Sequence, residues 1–231
     1  LKDELVMVLL GIFGSSLYFL TENYALKLTV ANDVSFIVCT TPLVTVILAL
    51  LFLKGIKASF SLVIGSVLAL LGVALVIFNG HFVLQLNPLG DILALAAATS
   101  WAIYSLVMKN FSSNYSPFFI TRKVFFYGLI TILPIFAVHP WKFPLEQLFT
   151  AEIGFNLFYL GVVASFVCFA AWAWVMTQLG ALRASNYIYF NPVTTVIASA
   201  IVLNERMTPI AYAGSAFILI GVFVVNKSKN I

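Results

Sequence analysis

The sequence predicts an all-α integral membrane protein with eight transmembrane helices, and three observations carry that expectation. Of the 231 residues, 62% are hydrophobic and 9% charged, where soluble domains carry about 25% charged residues. Mean hydropathy is +1.09. Apolar runs of about 20 residues, the length that crosses a hydrocarbon core of roughly 30 Å, recur along the chain between short polar turns. The basic residues stand singly between these runs rather than in a patch, so no polyanion surface forms and no nucleic-acid partner is expected.

In order, the runs cover 5 to 28, 31 to 53, 60 to 79, 89 to 109, 118 to 138, 153 to 177, 181 to 203 and 209 to 226. Turn chemistry separates them: Lys54-Gly55-Ile56-Lys57, Asn79-Gly80-His81, Asn87-Pro88, Ser112-Ser113-Asn114, His139-Pro140 and Asn204-Glu205-Arg206. The connection after His139 carries Trp141, Phe143 and Phe149 and is expected to lie along the interface, where amphipathic rings settle. Eight crossings put both ends of the chain on one side. Lys2, Lys54, Lys57, Lys109, Arg122, Lys123, Arg183, Lys227 and Lys229 then share that side, against Lys27, Lys142 and Arg206 on the other. The positive-inside rule makes the first side cytoplasmic, in a multi-pass protein of the plasma (inner) membrane.

Aligning Pro42 with Pro192 uncovers an internal repeat. Gly11 falls on Gly161, Ser15 on Ser165, Phe19 on Phe169, Ala31 on Ala181, Ser35 on Ser185, and Thr45-Val46-Ile47 on Thr195-Val196-Ile197. After one gap, Gly65-Ser66 falls on Gly214-Ser215 and Gly72-Val73 on Gly221-Val222. The copies start at the first and the sixth run, an odd separation, so they cross the membrane in opposite directions. Inverted repeats are a signature of secondary transporters, whose sites form at the repeat interface on interrupted helices. Pro42 and Pro192 each interrupt a run, because proline lacks the amide that would bond the carbonyl four residues back. The second copy has two extra runs before it, and the chain opens with Leu1-Lys2-Asp3-Glu4 rather than Met. The expected whole is therefore a five-plus-five inverted-repeat transporter bundle of which these are the last eight helices: residues 1–80 form a first repeat lacking two helices, and 88–231 a complete second one.

Helical spacing identifies the candidate substrate contacts. Gly11, Ser15, Tyr18 and Glu22 form one stripe on the first run, and Glu22 is a carboxylate well inside it. A charge at the centre of a membrane helix costs about 2.5 to 3.5 kcal/mol on insertion scales, so such a group faces the bundle interior and has a task, here proton coupling or pairing with a substrate amine. The bland alternative is contact with headgroup water or with Lys27. Trp172 takes the position equivalent to Glu22, and an aromatic face opposite a carboxylate suits a cationic or aromatic ligand. On the interrupted helices Tyr187, Asn191, Thr194 and Thr195 share a face, matched by Thr41 and Thr45 in the first copy. Trp101 and Tyr104, at i and i+3 beside Ser105, complete the expected lining. The glycines Gly65, Gly72, Gly214 and Gly221 are expected to permit close helix contact. Cys39 and Cys168 lie in apolar runs without metal-ligand spacing and are expected to be buried; His81 and His139 lie in connections. No catalytic group, metal or cofactor is expected.

The pattern resembles the drug/metabolite transporter superfamily, and within it the EamA-like ten-span exporters. The resemblance rests on Trp101-Ala102-x-Tyr104 with Lys109 after it, on Pro117 through Arg122, on the Pro192 helix ending Leu203-Asn204-Glu205-Arg206, and on the closing GSAFILIGVFVVN. In the first copy, Leu53-Lys54-Gly55 departs from the Leu-Gly-Glu-Arg-like turn of that family. The resemblance implies export of small metabolites, amino acids or drugs against a proton gradient, with a small-molecule solute, protons and the bilayer as partners, and it admits a homodimer. The runner-up is a sugar-nucleotide or sugar-phosphate exchanger, which calls for Lys or Arg in the cavity, whereas the basic residues here sit at run ends. An intramembrane protease would need a Ser elbow with an intramembrane His, or His-Glu-x-x-His, and the sequence has neither. A passive channel is the third alternative.

Overall fold

A computed structural model describes residues 2–53, 59–78, 87–111, 114–138, 150–202 and 208–227. The described residues are helical, with no strand among them, and seven stretches are long and apolar enough to cross a membrane. They are α1 (Lys2–Leu28), α2 (Ala31–Phe52), α3 (Phe60–Phe78), α4 (Pro88–Lys109), α5 (Pro117–Ala137), α6 (Ala151–Thr195) and α7 (Pro209–Asn226). The protein is thus an all-helical multi-pass membrane protein. The sequence led us to expect eight helices; the runs at 153 to 177 and 181 to 203 are joined in the 45-residue α6. Inside α6, Gly180 leaves helical backbone at φ 74° and ψ 169°. The expected loops at Lys54 to Lys57, Asn79 to His81, Ser112-Ser113, His139-Pro140 and Asn204 to Arg206 lie outside the described residues, as do the interfacial Trp141, Phe143 and Phe149.

Three helices start on a hydroxyl or amide followed by proline, which satisfies an orphan amide and presets φ. The Asn87 Oδ1 accepts from the Gly90 amide at 3.1 Å, Ser116 from Phe119 at 3.3 Å and Thr208 from Ala211 at 3.2 Å. Asn87 also donates to the Leu28 carbonyl at 2.9 Å, tying the end of α1 to the start of α4. At the opposite end of α1, Glu4 pairs with Lys123 at 2.7 Å and accepts from the Tyr127 hydroxyl, while Tyr115 donates to Asp3 at 2.8 Å. That carboxylate holds the Tyr115 phenol above its ordinary value. Polar contacts therefore fix both ends of α1.

Packing between helices depends on small residues, as it must where lipid removes the hydrophobic drive. Gly11 lies against the backbone of Tyr127 and Gly128 on α5, and Gly14 lies under the ring of Tyr104 on α4. Gly65 meets the carbonyl of Gly221, and Gly72 that of Gly214, so α3 and α7 run antiparallel in backbone contact. Those glycines are close-contact positions, as expected from the sequence. Leu51, Phe60, Leu129, Phe155 and Leu219 point outward from the bundle. Cys168 is likewise exposed, contrary to expectation, because an apolar run can turn a residue to lipid as readily as to protein; Cys39 is buried.

Two π-helical segments open the hydrogen-bond ladder, at Ile12–Ser16 in α1 and Tyr159–Val167 in α6. In the first, the Phe13 carbonyl accepts from Ser100 at 2.8 Å and Ser16 bonds Thr131 at 2.5 Å. Under the alignment of Pro42 with Pro192, the two segments overlap.

Candidate functional site

Both interrupted helices are tightened just before their proline, and each copy satisfies the stranded carbonyl differently. In α2 the amide missing at Pro42 would have bonded Val38; the Thr41 hydroxyl does so instead, at 2.6 Å. Thr40 reinforces the turn by donating to the Ile37 carbonyl from its amide at 2.9 Å and its hydroxyl at 2.6 Å. In α6 the turn Tyr187–Phe190 is 3₁₀, and the Asn191 amide donates to the Ile188 carbonyl. Short-range bonds within each turn, from a side chain in the first copy and from a backbone amide in the second, meet the need.

These turns face a central space made of two adjoining cavities of about 370 and 400 Å³, within the usual range for small-ligand sites. Tyr18, Val38 and Asn191 belong to both. The first lobe is acidic and polar, with Glu22, Asn32, Ser35, Cys39 and Thr195. The second is aromatic, with Phe19, Trp101, Phe169, Trp172 and Tyr187, and also carries Thr41. Tyr18 joins the two: its hydroxyl donates to Glu22 at 2.9 Å, and its ring centroid stands 5.1 Å from that of Trp101. Trp101 in turn lies 5.4 Å from Phe169, edge to face, and 5.9 Å from Trp172. Lys27 does not engage Glu22; its ammonium lies over the Tyr24 ring, 5.0 Å from the centroid.

The structure thus brings together Tyr18, Glu22, Thr41, Trp101, Trp172, Tyr187 and Asn191. It leaves Thr45, Tyr104 and Thr194 out of the lining: Thr45 and Tyr104 are buried behind it, whereas Thr194 is exposed. Thr45 is fully buried and donates to the Thr41 carbonyl at 2.8 Å, Thr194 donates to the Asn191 carbonyl at 2.9 Å, and the Tyr104 ring packs 5.1 Å from Trp101. Gly11 and Ser15 leave the expected stripe as well, since both face Gly128. Asn32 and Ser35 are lining residues that the sequence did not single out for the site. A polar residue at the start of a membrane helix reads as an end residue, and only the fold turns these two toward Glu22.

An all-helical membrane protein with a central cavity between interrupted helices has the architecture of a solute carrier. The chain belongs to the EamA-like transporter family, whose model matches residues 1–78 and 88–227. It is 26% identical over 232 residues to an uncharacterized transporter of Archaeoglobus fulgidus, covering 99% of this chain and 79% of that one. It is 23% identical over 227 residues to a probable terminal-alkyne amino-acid exporter of Streptantibioticus cattleyicolor, covering 98% and 74%. A crystal structure superimposes with a TM-score of 0.78 over 96% of this chain and 76% of that one, at 19% identity, and so shares the fold.

Proposed function

We propose that this membrane transporter is a secondary-active exporter of small metabolites, amino acids or related solutes, and that it works by alternating access of two inverted repeats about the central cavity. The observation that carries the reading is the pairing of repeat-equivalent residues in the aromatic lobe: Phe19 with Phe169, Val38 with Ile188, and Thr41 with Asn191. When equivalent positions line one cavity, the axis relating the two units passes through it, which is where a rocking transporter holds its solute. The glycine contacts support the same axis. Gly65 and Gly72 align with Gly214 and Gly221, yet Gly65 meets Gly221 and Gly72 meets Gly214, the reciprocal pattern of an isologous contact.

In this reading residues 1–80 and 88–231 are the two repeats of a five-plus-five plan, and the chain crosses the membrane eight times. At 1.5 Å per residue a 45-residue helix would be about 68 Å long, twice the hydrocarbon thickness, and the break at Gly180 divides α6 into two crossings. Its counterpart in the first copy is the extended backbone at Thr29 and Val30, between α1 and α2. Both chain ends then lie on the cytoplasmic side of the plasma (inner) membrane, as the basic residues favour. Tyr18, Glu22, Thr41, Trp101, Trp172, Tyr187 and Asn191 touch the solute, with the buried Thr45 and Tyr104 holding them in place. The relative named as an amino-acid exporter supports the solute class and the direction.

The test is counterflow in proteoliposomes together with a metabolite-release screen of overproducing cells. Saturable counterflow and faster release of at least one small solute are expected. Flux that rises linearly with concentration overturns alternating access in favour of a channel, and release no faster than in control cells overturns export.

A further inference from the structure

Resting on the transport reading above, and narrowing its solute class from amino acids to amines, we infer that the cavity is built for an amine carried on an aromatic or flat apolar body, and that the corresponding amino acid is the poorer ligand. Glu22 supplies the anionic end of the site. Its carboxylate is fixed by the Tyr18 hydroxyl at 2.9 Å, and the oxygens and amides of Asn32, Ser35, Asn191 and Thr195 line the same lobe. An ammonium group placed there forms a charge-assisted hydrogen bond to the carboxylate and has neutral acceptors for its remaining N–H groups. Among the described residues lining either lobe there is no Lys or Arg. A ligand carboxylate or phosphate would therefore enter beside Glu22 without a counter-ion, a like-charge placement that a low-dielectric site penalises strongly.

The aromatic lobe takes the body of the ligand. Trp101 stands among Tyr18, Phe169 and Trp172 at centroid separations of 5.1, 5.4 and 5.9 Å, so rings bound the lobe from several directions. Such walls stack a flat apolar group and also stabilise a cation near their faces. Tyr18 shares both lobes, so a short linker between the amine and the ring system lets one molecule occupy the two at once. Charge and shape select together.

Equilibrium binding of radiolabelled probes to the purified protein in lipid nanodiscs tests the inference without requiring transport. Tryptamine is expected to bind at least tenfold more tightly than tryptophan and than tryptophol, the neutral alcohol of the same shape. Glu22→Gln, which keeps the side-chain volume, is expected to bring tryptamine down to the tryptophol level and to leave tryptophol unchanged. Trp172→Leu is expected to weaken all three probes by a similar factor. Tryptophan binding as tightly as tryptamine overturns the inference in the unaltered protein, and unchanged tryptamine binding in Glu22→Gln overturns it through the variant. Tryptamine binding without counterflow would instead overturn the export reading and leave the ligand preference standing.

Discussion

Gly72 and Gly214 meet backbone to backbone: a Cβ on Gly72 would stand 2.5 Å from the Gly214 carbonyl oxygen and 2.7 Å from the Ile218 amide nitrogen. Neither obstacle is the flexible end of a side chain. Gly72→Ala should therefore force α3 and α7 apart, at a cost of about 1–3 kcal/mol for an overpacked contact. Gly161 is the contrast, because nothing stands within 4 Å of a Cβ there. Gly161→Ala should leave stability unchanged or slightly raised, alanine being the better helix former. Thermal unfolding in one detergent compares the two, and equal melting temperatures would contradict the packing account.

Gly180 acts through its own backbone rather than through a neighbour. Its φ of 74° with ψ of 169° belongs to a region open essentially to glycine alone, although a Cβ there would meet no atom within 4 Å. Gly180→Ala should cost about 1–3 kcal/mol, read as a lowered melting temperature. A neutral result would mean that the turn rearranges freely and does not fix how the two parts of α6 are joined.

The glycine pairs and the two prolines could be read from the sequence because each acts through an intrinsic property, a missing Cβ or a missing amide. The facing of individual side chains was harder to read, since it assumed an unbroken 3.6-residue turn. The π-helical segment Ile12–Ser16 shifts the register between Ser15 and Tyr18. The first half of the expected stripe accordingly packs on Gly128, while Tyr18 and Glu22 reach the cavity. A 3₁₀ turn advances about 120° per residue instead of about 100°. Over the four residues Tyr187–Phe190 the face turns by roughly 80°, and Thr195 rather than Thr194 lines the cavity. No composition or spacing rule marks these local changes of pitch.

Thr41 replaces the hydrogen bond that Pro42 removes, so its hydroxyl has a structural task besides lining the cavity. Thr41→Val keeps the shape but strands the Val38 carbonyl in a buried turn, a loss of about 1–3 kcal/mol. Thr41→Ser retains the donor and should stay close to the original stability. The second copy meets the same need with a backbone amide, so Asn191→Ala should not carry this penalty. Melting temperatures of the three variants decide it, and Val matching Ser would show that the carbonyl finds another donor.

The proposed amine site at Glu22 predicts a pH dependence with a sign that can be checked. The other titratable groups lining its lobe among the described residues are Tyr18 and Cys39, and phenols and thiols ordinarily titrate at about 10 and 8.5. Of these groups the carboxylate is the one that ordinarily takes up its proton below neutral pH, and so the one positioned to exchange a proton against a cationic solute. An ionised Glu22 holds an ammonium and a protonated one releases it, so tryptamine should bind more weakly as pH falls through the carboxyl titration. In proteoliposomes an imposed pH gradient should drive amine accumulation by the unaltered protein. Glu22→Gln should abolish that accumulation and flatten the pH profile of binding, while melting temperature stays near the original. A Gln variant that still concentrates the amine against its gradient would move proton coupling to another residue.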